Sequence, residues 1–109
     1  NVLYLELCRR GYTVTIGKTP DGEVNFVAQK QNDRLYVQVT QEIKSEKTEK
    51  REYERLLEIR DNYPKYVLRN DEFAGGNYQG IKSMHIADFL LSGGEPPFYI
   101  ARFLIESFK

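Results

Sequence analysis

The stretch from Pro20 to Thr40 restricts the fold more than any other, because it combines two strand-like segments with a polar turn between them. Apolar side chains occupy every second position from 24 to 28 and again from 35 to 39, and this alternation is the period of a β-strand with one buried face. The segment Lys30–Asp33 separates them, and its Asn and Asp tolerate left-handed backbone and bond their own main chain. We therefore predict a β-hairpin.

The register of this hairpin predicts a cluster of polar side chains. Residues two apart in a strand share a face, so Gln38 and Thr40 emerge together, and Asn25 of the paired strand is expected beside them. This cluster of polar side chains has two interpretations at this point. It is the solvated face of a half-buried sheet, or it is a convergent polar site.

The composition indicates one domain and excludes several classes of function. The 109 residues suffice for one core, and 16 Lys and Arg balance 16 Asp and Glu, so no overall field attracts nucleic acid or an anionic membrane. The single cysteine, Cys8, fits a reducing cytoplasm, and the single histidine, His85, lacks nearby ligand partners, which favours a structural role. No apolar run approaches the roughly 18 residues of a spanning helix. We expect a cytoplasmic protein without a membrane partner, and, because Asn1 opens directly into a helix pattern, a fragment of a longer chain.

The rest of the chain predicts helices around a sheet. An apolar segment from Val2 to Arg10, closed by Gly11, is typical of a buried helix, and an outward orientation is the simplest interpretation of its one acid, Glu6. The order of helix, three antiparallel strands, helix and parallel strand predicts a mixed α/β (α+β) fold, with a central mixed sheet flanked by helices. The remaining predicted elements are a strand over 12–16, a turn over 17–22, a helix over 44–62 ended by Pro64, a strand over 65–68, a loop over 70–80, a strand over 81–86, a short helix from 88 and an apolar helix over 98–108.

The helix predicted over 44–62 carries basic residues at spacings of three and four. Lys44, Lys47, Arg51 and Arg55 fall along one side of it, which makes Lys47, Arg51 and Arg55 candidates for nucleic-acid binding. Glutamates are interleaved with them, so a solvated surface of mixed charge explains the same pattern. Both interpretations stay open.

Several local sequence segments indicate a protein family more specifically than the order of the elements does. The segments YLELCRRGYTVTIGK, GEVNFVAQK, LYVQVT, LLEIRDNYPKYVLRNDE and YQGIKSMHIADFLL resemble the C-terminal domain of unknown function in a large family of prokaryotic AAA-type ATPases. The resemblance covers residues 1–91, and it implies a nuclease-like core of restriction-endonuclease-like (PD-(D/E)XK) fold. In that family the core follows an ATP-binding domain and a winged-helix segment, which this chain lacks. We expect the aromatic helical segment over 92–109 to pack on the same domain.

The resemblance also implies where a catalytic site would lie. In the nuclease-like fold, an acid on the first helix, an Asp on the second strand and an acid-x-Lys pair on the third hold a divalent metal and position water. The matching positions here are Glu6, Asn25, Gln38 and Thr40. Only Glu6 has the side chain that catalysis needs, so the resemblance implies a vestigial site without a metal.

Three hypotheses of function follow. The first is a non-catalytic accessory domain of an AAA-type ATPase that acts in nucleic-acid or protein binding and regulation. Its expected partners are the ATPase domain of its own chain and DNA. ATP would bind only in the missing ATPase part. The second is a DNA nuclease that depends on Mg²⁺ or Mn²⁺ and uses Glu6 with Asp21 or Glu23. The third is a protein-interaction module in which the polar cluster of Asn25, Gln38 and Thr40 has no role.

Overall fold

A computed structural model describes residues 2–18, 24–40, 46–70, 76–93 and 97–107 of the chain. These residues form four helices and six strands, which is the mixed α/β architecture that the sequence predicts. In chain order the elements are α1 (Val2–Arg9), β1 (Thr13–Lys18), β2 (Val24–Lys30), β3 (Asp33–Thr40), α2 (Glu46–Leu57), β4 (Lys65–Arg69), β5 (Asn77–Tyr78), β6 (Ile81–His85), α3 (Ile86–Leu91) and α4 (Phe98–Ser107). None of the helices in this part of the chain is long and apolar enough to cross a membrane.

The strands form one mixed sheet in the order β1-β2-β3-β4-β6-β5. The first three strands are antiparallel to one another, as short connections allow. β4 joins β3 in parallel after the crossover through α2, and β6 joins β4 in parallel as well. The predicted antiparallel meander and the parallel placement of the fourth strand are therefore confirmed.

The predicted hairpin between β2 and β3 is confirmed, but its turn is shorter than expected. Lys30 and Asp33 still pair with each other across the strands, so the turn contains only Gln31 and Asn32. The left-handed residue is Gln31, with a φ of 43°, rather than Asn32 or Asp33. A two-residue connection sets the register of the whole ladder, and this register places Asn25 directly opposite Gln38.

α2 ends at Leu57, earlier than the sequence pattern predicts. Just past Leu57, the backbone N–H of Ile59 bonds the carbonyl of Leu56 at 3.1 Å, three residues back. The carboxylate of Asp61 then accepts the backbone N–H of Tyr63 at 3.0 Å. Ile59 therefore lies beyond the helix, although it still packs near the same cluster as Leu57. The predicted start of the helix at Lys44 falls outside the described residues.

The predicted loop over 70–80 is wrong at its end, where β5 forms a hairpin with β6. Gln79 and Gly80 both have positive φ, 51° and 93°, which is the backbone shape of a two-residue turn that matches strand twist. Glutamine is not a typical turn residue, and this explains why the sequence pattern does not predict the hairpin.

Two apolar clusters lie on opposite faces of the sheet. On one face, α1, α3 and α4 cover β2, β3 and β4, and Leu3, Val37 and Ile100 are at most 1% exposed there. On the other face, α2 covers β3, β4 and β6, with Tyr36 and Leu56 in the cluster. Tyr36 and Val37 are neighbours in β3, so their side chains point to opposite faces. We call these the α1 face and the α2 face.

His85 has a structural position at the junction of β6 and α3. Its Nδ1 accepts the backbone N–H of Ala87 at 3.0 Å and caps the helix, which starts at Ile86 rather than at 88 as predicted. A side chain that satisfies one of the free N–H groups at a helix start stabilises that start.

Candidate functional site

Asn25 and Gln38 form the centre of the candidate site. They are direct cross-strand partners of β2 and β3, so the predicted convergence of these two side chains is confirmed. Gln38 is 2% exposed, which rules out the solvated-face interpretation for it. The Oδ1 atom of Asn25 is buried, and no described residue donates a hydrogen bond to it. A buried acceptor without a donor is uncommon and costs about 1–3 kcal/mol.

The Asn25–Gln38 pair lines a cavity of about 240 Å³ between the sheet and α2. Its walls are largely apolar, and one cation, Arg55, contributes to the lining. Arg55 is half-buried, whereas Arg51, one turn earlier on the same helix, is exposed. The basic residues predicted along one side of the helix therefore differ in position: Arg55 lines the cavity, whereas Arg51 faces the solvent. Lys44 and the side chain of Lys47 lie outside the described residues.

Thr40 shares the face of Gln38 but belongs to a different cavity. It is 4% exposed and pairs with Arg69 of β4, at the carboxyl ends of these two parallel strands. A cavity of about 360 Å³ opens there, with Thr40, Arg69 and Asn70 as its polar members. The other lining residues are Val2, Val39, Leu68, Ile86 and Phe103, so the cavity is mostly apolar.

Glu6 is fully buried, and its expected outward orientation is wrong. Its carboxylate accepts hydrogen bonds from Arg9, with Nη2 to Oε2 at 3.2 Å, and Nε of Arg10 lies 3.8 Å from Oε2. The two arginines follow at helical spacings of three and four, so they supply the counter-charge that a buried carboxylate needs. Arg10 also donates to the carbonyl of Phe89 at 2.8 Å and packs over its ring, which ties α1 to α3.

The sheet separates Glu6 from Asn25 and Gln38, whereas Thr40 lines the cavity at the strand ends together with Val2 of α1. Glu6 belongs to the buried side of α1 together with Leu3 and Leu7, and these two leucines pack on the α1 face. Asn25 and Gln38 emerge on the α2 face, because they alternate with the core residues of the α1 face. The structure therefore brings two of the four positions together and leaves Glu6 in another layer.

The donor set on the α2 face does not fit a nuclease metal ion. Two amide side chains supply neutral oxygens, and a strongly hydrated Mg²⁺ prefers carboxylates. Within the described ranges, no three His, Cys, Asp or Glu side chains come close enough to hold an ion. Asp21 and Glu23, the acids of the nuclease hypothesis, lie outside the described residues. We derive no metal-dependent step from this site.

A polar network around Asp61 was not predicted from the sequence. The hydroxyl of Tyr36 donates to Oδ2 of Asp61 at 2.6 Å, and Nζ of Lys65 donates to Oδ1 at 2.9 Å. The Tyr36 hydrogen bond, followed by the Lys65 bond, lowers the pKa of this carboxyl from 3.8 to about 2. The network joins the end of α2 to β3 and β4. Tyr36 also lines the Asn25–Gln38 cavity, and Asp61 and Lys65 line a separate cavity of about 230 Å³.

Comparison with known proteins gives one similar sequence and little functional information. No protein-family model matches the chain, and no solved structure matches it. An uncharacterized protein of Haemophilus influenzae is 40% identical over 91 residues, which are 84% of this chain and 22% of that protein. The chain thus spans about a fifth of the length of the relative that it matches.

Proposed function

We propose that this chain is a non-catalytic accessory domain of restriction-endonuclease-like fold, part of a larger AAA-type ATPase, and that it acts by binding a partner. The order helix, three antiparallel strands, helix and parallel strand supports the fold proposal. The length of the similar Haemophilus protein supports a role as one part of a larger protein, since only 22% of it corresponds to this chain.

The observation that carries the proposal is the composition of the α2 face. A metal-dependent centre of the nuclease type needs carboxylates around the ion and a group that offsets charge at the phosphate. Asn25 and Gln38 are neutral amides, and Glu6 is ion-paired with Arg9 behind the sheet. Within the described part of the chain, no acid lines the cavity that these two amides share.

The outward side of α4 favours a protein as the partner. Phe98 and Ile105 are seven positions apart, which places them on one side of the helix, and they are 81% and 61% exposed. Arg102 lies between them in an exposed ion pair with Glu106 at 3.3 Å. Apolar side chains bordered by paired charges are typical of a docking surface. The ATPase part of the same protein is the partner that we propose.

A cleavage assay tests the central proposal. A labelled DNA duplex is incubated with the 109-residue chain and Mn²⁺, and the products are separated on a gel. We expect intact DNA, because no carboxylate faces the Asn25–Gln38 cavity among the residues that line it. Cleavage by the wild-type chain that disappears in Glu6→Ala would contradict the proposal.

A variant with restored acids serves as the matched control for metal binding. Asn25→Asp combined with Gln38→Glu places two carboxylates on paired positions, so this variant should bind Mn²⁺ measurably by titration calorimetry. The wild-type chain should not. Equal Mn²⁺ affinity in the two proteins would contradict the interpretation of the amide pair.

Fluorescence anisotropy of the same duplex, at low and moderate salt, then separates the classes of partner. We expect weak binding at most, because Arg55 is partly turned into the cavity and the exposed basic residues alternate with acids. Affinity that falls with salt and is lost in Arg51→Glu would assign nucleic acid as the partner. That result would leave the non-catalytic part of the proposal intact.

A further inference from the structure

β1 is an outer strand of the described sheet. Lys18, its last residue, is its one charged residue, and the rest of the strand carries none of the usual protections against pairing. Proteins protect sheet edges with short strands, charges, prolines or bulges. The opposite edge strand, β5, has two residues, whereas β1 has six and pairs with β2 in unbroken register. Its first five residues, Thr13 to Gly17, include no charge and no proline.

The side chains of β1 show what kind of strand would fit beside it. Val14 and Ile16 lie on the α1 face, where Val14 is half-buried and Ile16 is 51% exposed. Thr13 and Thr15 lie on the α2 face and are exposed. A matching strand would therefore bring apolar residues to the α1 face and small polar residues to the other.

We propose that β1 pairs with β1 of a second copy of this chain, antiparallel and centred on Thr15. In that register, Thr15 meets Thr15 of the second copy, and each Ile16 meets the Val14 of the other chain. Thr13 meets Gly17, where a side chain would have open space around it. The apolar and polar residues thus match on both faces, and the pairing has the two-fold symmetry of a closed dimer.

The match of Val14 and Ile16 across the two-fold axis favours a second copy as the occupant of this edge, and the charge of the chain does not oppose it. The formal net charge is zero, so two copies approach without long-range repulsion. The central residues of the edge carry no charge that would have to be matched by a different partner. Because the contact rests on one strand per copy, the dimer should be weak and dependent on concentration.

Sedimentation equilibrium from about 10 µM to about 1 mM tests the dimer, since a small interface is partly formed in this range. The mean mass should rise from 12.8 kDa toward twice that value. Ile16→Lys should keep the chain at the monomer mass, whereas Leu5→Lys, at an apolar position of α1 that is 49% exposed, should dimerise like the wild type. A constant monomer mass for the wild type would overturn the proposal, and so would a dimer that survives Ile16→Lys.

Disulfide formation tests the register independently. In a Cys8→Ser background, Thr15→Cys should form a cross-linked dimer with oxidised glutathione, because residues opposite each other in a ladder lie within disulfide reach. Thr13→Cys is the matched control on the same strand and face, and in this register the two copies of residue 13 are roughly 14 Å apart along the strands. Equal cross-linking of the two variants, or none in Thr15→Cys, would overturn the proposal.

Discussion

Glu6 is an acid in the interior of the α1 layer, and its neighbours in the helix explain how a carboxylate can be buried there. Arg9 and Arg10 both reach it, and their side chains are 38% and 19% exposed, so each guanidinium keeps part of its hydration while it pairs with the acid. Arg10 also bonds the carbonyl of Phe89. The residue that most resembles a catalytic acid in the sequence is therefore part of a contact between α1 and α3.

Replacing Glu6 by Ala should lower the free energy of unfolding by about 2 kcal/mol, less than for a fully enclosed pair because both arginines retain water. The substitution leaves Arg10 half-buried without its counter-charge and opens a small void. Urea denaturation measures the effect. Glu106→Ala is the control, because its ion pair with Arg102 is exposed, and it should change stability by no more than about 0.5 kcal/mol. Equal losses in the two variants would show that burial of Glu6 contributes nothing.

At the scale of elements, α4 has one side in the core and one in solvent. Ile100 is completely buried in the cluster on the α1 face, whereas Ile105 is 61% exposed. The apolar composition of the segment predicts that it packs on something. It does not predict which of its many apolar residues turn inward.

Ile100→Ala should destabilise the chain by about 3 kcal/mol, because it removes buried methyl groups and leaves a cavity. Ile105→Ala makes the same chemical change at an exposed position and should cost less than about 0.5 kcal/mol. Chemical denaturation followed by circular dichroism compares them. Losses of equal size would mean that α4 does not pack on the sheet in solution.

The periodicity of the sequence predicts most of these elements, but it does not predict where several of them end. Strand alternation indicates β2 and β3 correctly, since half-buried strands repeat every second residue. The start of α3 depends on a side-chain bond to His85, and the connection after α2 contains one to Asp61. The left-handed residues Gln31 and Gln79 have no sequence signature, because glutamine has little preference for that backbone.

The candidate site was only partly predictable for a related reason. Alternation within a hairpin indicates which side chains share a face, so the pairing of Asn25 with Gln38 could be inferred. It says nothing about which face a separate helix will cover. The position of Glu6 on the α1 side of the sheet and the orientation of Arg55 toward the cavity follow from packing between distant segments.

At the scale of the whole molecule, β3 and β4 connect the two apolar clusters. Val37 belongs to one cluster and Tyr36 to the other, and the same holds for Leu68 and Val67 in β4. Neither cluster can lose these strands without disrupting the other. The chain should therefore unfold as one cooperative unit, and a local interaction should affect the stability of the whole.

The Asp61 network should make that global stability depend on pH in the acid range. The unfolded chain takes up a proton at this carboxyl near pH 3.8, whereas the folded chain resists protonation until about pH 2. The stabilisation is therefore present above pH 3.8 and is lost as the pH falls through about 2. Asp61→Asn removes this titration, so the difference in stability between wild type and variant should shrink over that window.

Urea midpoints measured at intervals from pH 5 to pH 2 check this prediction. Taking the difference between the two proteins cancels the titration of the other carboxylates. Tyr36→Phe should narrow the window from its acid end, because it removes the largest contributor to the lowered pKa of folded Asp61 and leaves the unfolded chain unchanged. A difference that stays constant over the whole range would contradict the proposed role of the network.

The burial of Asn25 and its pairing with Gln38 also have an evolutionary consequence. Changing Asn25 to Asp would put a charge where the amide oxygen is now buried, and changing Gln38 as well would set two like charges opposite each other. Each step lowers stability before any hydrolytic benefit could be selected. Since folded domains tolerate few such losses, substitutions at exposed positions of this domain cost less stability than acids introduced on the α2 face.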